Sequence, residues 1–401
     1  MEVYIIVGLL LLLAWLLLYF KYFRGNGEGH ARKDKDHEDN KDNKYQDEEE
    51  AFYSVATWGD DNNNGSITQP WKNLQYAINN LQPGDRLLIR GGIYKEYVSL
   101  KKSGTSENPI VISTFQNEEA VLDGEGISWK YGFNLEYGVS YVNLSGLQVK
   151  NFKGYGVALW GENRSIQLSG MEASGCGAGL HIVSAENLLV QGCNFHNNNG
   201  PGLVVSPGPL KTARIIRTRS SNNENPELPD GFAVDSGNDV VFEKCAAENN
   251  AGNGFNCLSS STTISACTVR DNGCYGVKCL GEGYKLVNCI IDSNGMAGIV
   301  LQGGGSYELF NNLIINCGLK GDYGLVSAPV AGLSSARVSL VNNIFAFNYG
   351  GVHFGSSAVL EKEDQNIYWS REDAEISNNN RRYTRSEVNE KIWFKETGRG
   401  E

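Results

Sequence analysis

From residue 156 onward the chain repeats one short pattern: a glycine, then apolar and polar residues in alternation. It appears as GVALWG at Gly156, GLHIVS at Gly179, GLVVSP at Gly202, GFAVDS at Gly231, GFNCLS at Gly254, GVKCLG at Gly276, GIVLQG at Gly298, GLVSAP at Gly324 and GVHFGS at Gly351. Between these pieces lie VVFEKCAAENN, TTISACTVRDN and YKLVNCIIDSN, which place Cys245, Cys267 and Cys289 22 residues apart twice over. Alternation with a period of two marks strands, and no helical periodicity separates them. Nine or more such turns with a period of about 22 residues predict a solenoid of stacked parallel strands. Leucine-rich repeats need spaced leucines, and propeller blades need about 40 residues, so neither fits.

The predicted architecture is all-β: a single-stranded right-handed parallel β-helix over residues 52–370. TQPWKNLQYAINNLQPGD (68–85) carries Trp71, Leu74, Ile78 and Leu81 at helical spacing, which predicts a short amphipathic helix capping the open end of the core. SEVNEKIWF (386–394), within a C-terminal cap or tail at 371–401, is a second candidate cap. Asn198, Asn250, Asn272 and Asn294 follow the repeat and are expected to stack at one bend, where asparagine accepts tight turns and bonds backbone groups.

Strand side chains point alternately in and out. Counting from each glycine, the first and third positions are apolar and are assigned to the interior. The second position then faces out: Ala158, His181, Val204, Ala233, Asn256, Lys278, Val300, Val326 and His353. Adjacent turns lie about 4.8 Å apart, so Lys278 is expected beside Asn256, with Asp230, Asn253 and Tyr275 rising next to them from the positions before the glycines. A lysine in this mostly small and apolar column reads either as solvated surface or as a partly desolvated base. His181 reads as a structural or sugar-contacting residue, and Trp160, Tyr155 and Tyr275 as aromatics able to stack on pyranose faces or pack at the coil edge.

Composition agrees with a turn-rich β fold: Gly is 48 of 401 residues, well above the usual ~7 %. A net charge of −11 and a pI near 5.1 exclude a nucleic-acid partner, since nothing here would displace phosphate counterions. The nine cysteines follow the coil period and lack paired C-x-x-C spacing, so they read as small buried apolar groups rather than disulfides or zinc ligands.

Residues 3–20, VYIIVGLLLLLAWLLLYF, are uncharged and long enough to cross a bilayer, which predicts a transmembrane anchor or signal anchor at 1–23. A cleaved signal peptide is the competing reading, against which stands the absence of a basic n-region. Lys21, Arg24, Arg32 and Lys33 follow the span and by the positive-inside bias point the domain toward the cytoplasm. Residues 24–51 are charged and nearly free of apolar side chains, and are expected to be a disordered tether without a metal site of their own.

PDGFAVD (229–235), NAGNGFN (250–256) and CYGVKCLG (274–281), carried on this coil, resemble polysaccharide lyase family nine, the pectate lyase-like right-handed β-helices. FYSVATWGDD and ENPIVISTF look like the N-terminal region of many extracellular β-helix proteins, and the resemblance spans roughly 52–370. It implies an extracellular domain, against the charge bias. In that family the Asp of a DGFA motif and the acids of a DDGWD-like motif hold Ca²⁺, and the Lys of a GxK motif is the Brønsted base. Carried over, Lys278 is the catalytic base and Asp230 the first ligand. Gly252, Asn253 and Asn256 stand where acids are expected, and Asp235 is a further carboxylate that could join Asp230. The implied Ca²⁺ site is therefore weakened, because affinity follows ligand charge. His181, Tyr275 and Trp160 are the expected substrate contacts.

The activity this implies is β-elimination on a uronate-containing acidic polysaccharide by a membrane-anchored lyase. A non-catalytic cell-surface carbohydrate-binding β-helix with a degenerate metal site is the alternative from a different class. A hydrolase or epimerase on the same scaffold is the third, for which Asp230 and Asp235 are the available carboxylate pair.

Overall fold

The structure is a computed structural model and describes residues 52–383 apart from 117, 129, 225–229, 319–322, 329–335, 355–357, 371–375 and 379–380. The predicted membrane span, the tether and the second capping segment lie outside the described residues. Among the described residues no helix is long and apolar enough to cross a membrane.

The described chain is an all-β parallel solenoid of about 11 turns. Its strands form three long sheets of 13, 13 and 12 strands, each strand pairing with its counterpart one turn earlier and one turn later. Among the described residues every pairing along the coil is parallel, and one antiparallel pair, Ile376–Asn378 with Arg381–Tyr383, sits at the far edge of one sheet. The average turn is ~24 residues rather than 22. The 22-residue spacing belongs to the stretch between Asn250 and Asn294; it widens to 25 between Asn198 and Asn223 and to 27 between Asn223 and Asn250.

The interior is built as alternation requires. Leu203, Phe232, Phe255, Val277 and Ile299 are Cα partners in succession and all are fully buried. The Phe232 and Phe255 rings stack at 4.8 Å, with Phe242 set edge-on at 5.1 Å to Phe255. Each such fully buried side chain contributes about 1.5–3 kcal/mol of burial free energy.

Two polar devices turn the chain between sheets. Asn249, Asp271 and Ser293 adopt left-handed φ values of 54°, 56° and 55°, and the residue after each is a buried asparagine. Asn250, Asn272 and Asn294 then form a ladder: each Nδ2 donates to the Oδ1 of the asparagine one turn on, and that oxygen also accepts the backbone N–H above it. Asn223 extends the ladder toward Asn198; its irregular spacing hides it from the repeat. Cys317 takes the next place after Asn294, whose Nδ2 lies 3.7 Å from its Sγ. A second column carries Cys245, Cys267 and Cys289 and then changes to Asn312 and Asn343, so small buried groups of either kind fill these bends. All nine cysteines are unpaired, and all but Cys274 are buried.

The glycine column exists for want of space. A Cβ on Gly254 would lie 2.7 Å from the Gly276 carbonyl oxygen, and one on Gly276 would lie 2.5 Å from that of Gly298. The predicted N-terminal cap is the helix Leu74–Asn80, with Leu74, Ala77 and Ile78 buried. It is shorter than the spacing suggested: Trp71 precedes it, bridging to Val55 in extended backbone, and Leu81 ends it, though both are buried.

Candidate functional site

The outward second position runs down one sheet in unbroken register: Asn134, Ala158, His181, Val204, Ala233, Asn256, Lys278, Val300, Val326, His353. This wall is more enclosed than a simple outer face. Ala158, His181, Ala233 and Val300 are buried, and Asn256 and Lys278 are half-buried.

Asp230 lies immediately before Gly231 and is only 4 % exposed. Both carboxylate oxygens are engaged by the next turn. Its Oδ1 accepts the backbone N–H of Asn253 at 2.9 Å and the Nδ2 of Asn253 at 2.7 Å, and its Oδ2 accepts the Nδ2 of Asn256 at 2.8 Å. Asn253 Oδ1 in turn accepts the Tyr275 backbone N–H at 3.2 Å. Asn256 Oδ1 is buried and has no partner. A buried acceptor left in this state costs free energy until a donor reaches it. Lys278 is the Cα partner of Asn256, and no ion pair among the described residues engages it. Asp230, Asn253, Asn256, Tyr275 and Lys278 thus share one stretch of wall across three consecutive turns. Asp235 stands apart, exposed just past the strand Phe232–Val234, its backbone N–H donating to Val205.

The donors here do not assemble a Ca²⁺ cage. A calcium site needs several oxygen ligands turned toward one point. The Asp230 carboxylate instead accepts three N–H donors, two on Oδ1 and one on Oδ2, and one amide oxygen is taken by a backbone N–H. Among the described residues no group of three or more His, Cys, Asp or Glu side chains is placed to hold a metal ion. Cys257 is no thiolate here: it faces inward beside Asn256, and burial pushes its thiol up to about 12, where it stays protonated.

His181 and Trp160 lie elsewhere on the same wall. Four register steps of about 4.8 Å separate His181 from Lys278, or roughly 19 Å along the axis. The Tyr155 ring stacks on the His181 imidazole at 4.0 Å and 15°, Tyr131 stacks on Tyr155 at 5.3 Å, and Trp160 meets Tyr131 edge-on at 4.9 Å. Trp160 Nε1 donates to Asn134 Oδ1 at 3.3 Å. Tyr131 and Asn134 lie one turn before the repeat that begins at Gly156; Tyr131 precedes Gly132 as Tyr155 precedes Gly156, so the same pattern extended back one turn carries both.

Burial holds the His181 pKa below its ordinary value, against a hydrogen bond to the Ser206 backbone that raises it. The folded protein therefore favours neutral imidazole, while the unfolded chain protonates near pH ~6.5. Stability from this residue is complete above that pH and is lost as pH falls below it toward the depressed folded value. Melting curves from neutral to mildly acidic pH are expected to show a decline in Tm that is shallower in His181→Phe.

Residues 53–317 match the family model described as Pel9A-like, right handed beta helix region. The chain is 32 % identical over 73 residues to a pectate lyase of Emericella nidulans, covering 18 % of each chain. It is 23 % identical over 228 residues to pectate lyase L of Dickeya dadantii, covering 52 % of this chain and 47 % of that one. The matches thus span less than half the length of these curated relatives. The solved complex of XylC with xylose has the same fold at a TM-score of 0.53 and 11 % identity, covering 83 % of this chain and 89 % of that chain.

Proposed function

Because the chain belongs to the Pel9A-like right-handed β-helix family, we propose that it acts on a uronate-containing polysaccharide by β-elimination, with Lys278 as the base. The observation that carries this reading is the juxtaposition at one point of the wall: a lysine with no described ion pair beside an amide whose buried oxygen lacks a donor. Asp230 fixes that amide by binding its Nδ2, which leaves Asn256 Oδ1 to accept a hydroxyl of the sugar or an N–H of Lys278. The proton removed in β-elimination lies next to the sugar's own carboxylate, so the base must work where negative charge is not reinforced by the protein. The three N–H donors on Asp230 spread its charge over the amides and serve that end. The lyase names of the curated relatives support this substrate class. The apolar segment at 3–20 would anchor the domain, and the family resemblance supports placing it outside the cell.

The same donor set favours a second reading. A site that has lost its acidic ligands, and with them the cation that would neutralise the substrate, can retain binding without turnover. Incubation with pectic, alginate-like and glycosaminoglycan polymers, followed by ultraviolet absorbance of unsaturated uronides, tests the first reading. Product from one class identifies the substrate; heat of binding without product from any class leaves the second.

Calcium separates this site from an acid-lined one. Calorimetric titration with Ca²⁺ is expected to show no binding tighter than about 10⁻⁴ M, the weak end of known sites, and chelation is expected to leave Tm unchanged. A micromolar Ca²⁺ isotherm lost in Asp230→Asn would contradict the amide-held geometry.

A further inference from the structure

Tyr155 and His181 stand in the same relation as Asp230 and Asn256. In each pair the first residue directly precedes its turn's glycine, and it meets the side chain two residues past the glycine of the next turn. Three register steps of about 4.8 Å separate the pairs, so the wall presents two equivalent stations roughly 14 Å apart, one amide and acidic, the other aromatic.

The aromatic station also has an orphaned acceptor. His181 is 8 % exposed, and its Nδ1 is buried with no partner. Around it Tyr131, Tyr155 and Trp160 are each only partly buried. Trp160, edge-on or tilted to each of these rings rather than stacked on them, stands beside a lone hydrogen-bond acceptor and so matches a pyranose, which offers a C–H face and hydroxyl donors together.

We infer that Tyr131, Tyr155, Trp160 and His181 form a second sugar-binding subsite on the groove, in which His181 Nδ1 accepts a hydroxyl of a polymer residue distant from the one at Lys278. This rests on the groove being a polysaccharide site. A linked pyranose advances a chain by about as much as one turn of the coil advances the protein, ~5 Å, so a ligand must be several units long to reach both stations. The subsite therefore confers preference for long oligomers and leaves short ones indifferent to it.

The experiment compares a trimeric and a heptameric oligogalacturonate, with binding read by calorimetry, for the wild type, His181→Phe and Trp160→Ala. The wild type is expected to bind the heptamer about tenfold or more tighter than the trimer, the worth of one hydrogen bond and its stacking contact. His181→Phe keeps a ring against Tyr155 but removes the acceptor, and is expected to lose most of that gain while binding the trimer normally. Trp160→Ala is expected to do the same, with trimer binding reporting that the groove is intact. Trimer binding without a length gain in the wild type, or variants that keep the full gain, would overturn the subsite alone. A wild type that binds neither oligomer would overturn the groove reading and the subsite with it.

Discussion

Lys278→Ala is expected to slow release of unsaturated uronide by about 10²–10⁴-fold, the range over which a positioned general base acts. The loss should appear in kcat. Because no described ion pair engages Lys278 and the residue is only half-buried, Tm should stay within about 1 °C of wild type. Asn256→Ala makes the informative comparison. It removes the unpartnered oxygen and frees one oxygen of Asp230, so it is expected to weaken both binding and turnover, whereas Lys278→Ala acts chiefly on turnover. Equal activity in wild type and Lys278→Ala would remove the lysine from the chemistry.

The largest effect on stability is expected at Asn272, which is buried on the inner side of the coil. Its Oδ1 accepts both the backbone N–H and the Nδ2 of Asn250, at 3.1 and 3.0 Å, while its Nδ2 donates to the Ala247 carbonyl and to Asn294 Oδ1. Alanine there would strand polar groups on two neighbouring turns where water does not reach. Each buried group left unsatisfied costs about 1–3 kcal/mol, and the losses are shared within one network, so a total of about 3–5 kcal/mol is expected. Urea unfolding followed by circular dichroism measures it as a lowered midpoint. An exposed asparagine such as Asn238 provides the control, expected within about 0.5 kcal/mol of wild type. A midpoint for Asn272→Ala equal to that control would show that the ladder is not a source of stability.

The register was legible because glycine marks its phase. Each turn needs a residue without a Cβ at one place, and once Gly254 and Gly276 are aligned, the pairing of Asn256 with Lys278 follows from alternation alone. The asparagine ladder was legible where the period held and hidden at Asn223, where extra residues lengthen the turn. Side-chain direction was not legible. Nothing in the order of residues shows that Asn253 and Asn256 present their N–H groups to Asp230, because an amide can offer either end and only the neighbouring turn decides. Enclosure was likewise hidden. The second position is outward by alternation, yet His181 is buried there because Tyr155 of the preceding turn lies across it.

In the proposed function, consecutive turns bring Lys278 and the Asp230-held amide of Asn256 to bear on one uronic sugar. Calorimetry and ultraviolet absorbance recorded in parallel on the wild-type chain with oligogalacturonate test it most directly. Saturable heat accompanied by growing absorbance, with the absorbance abolished in Lys278→Ala, is the predicted result; saturable heat with flat absorbance, unchanged by Lys278→Ala and Asn256→Ala, would contradict it.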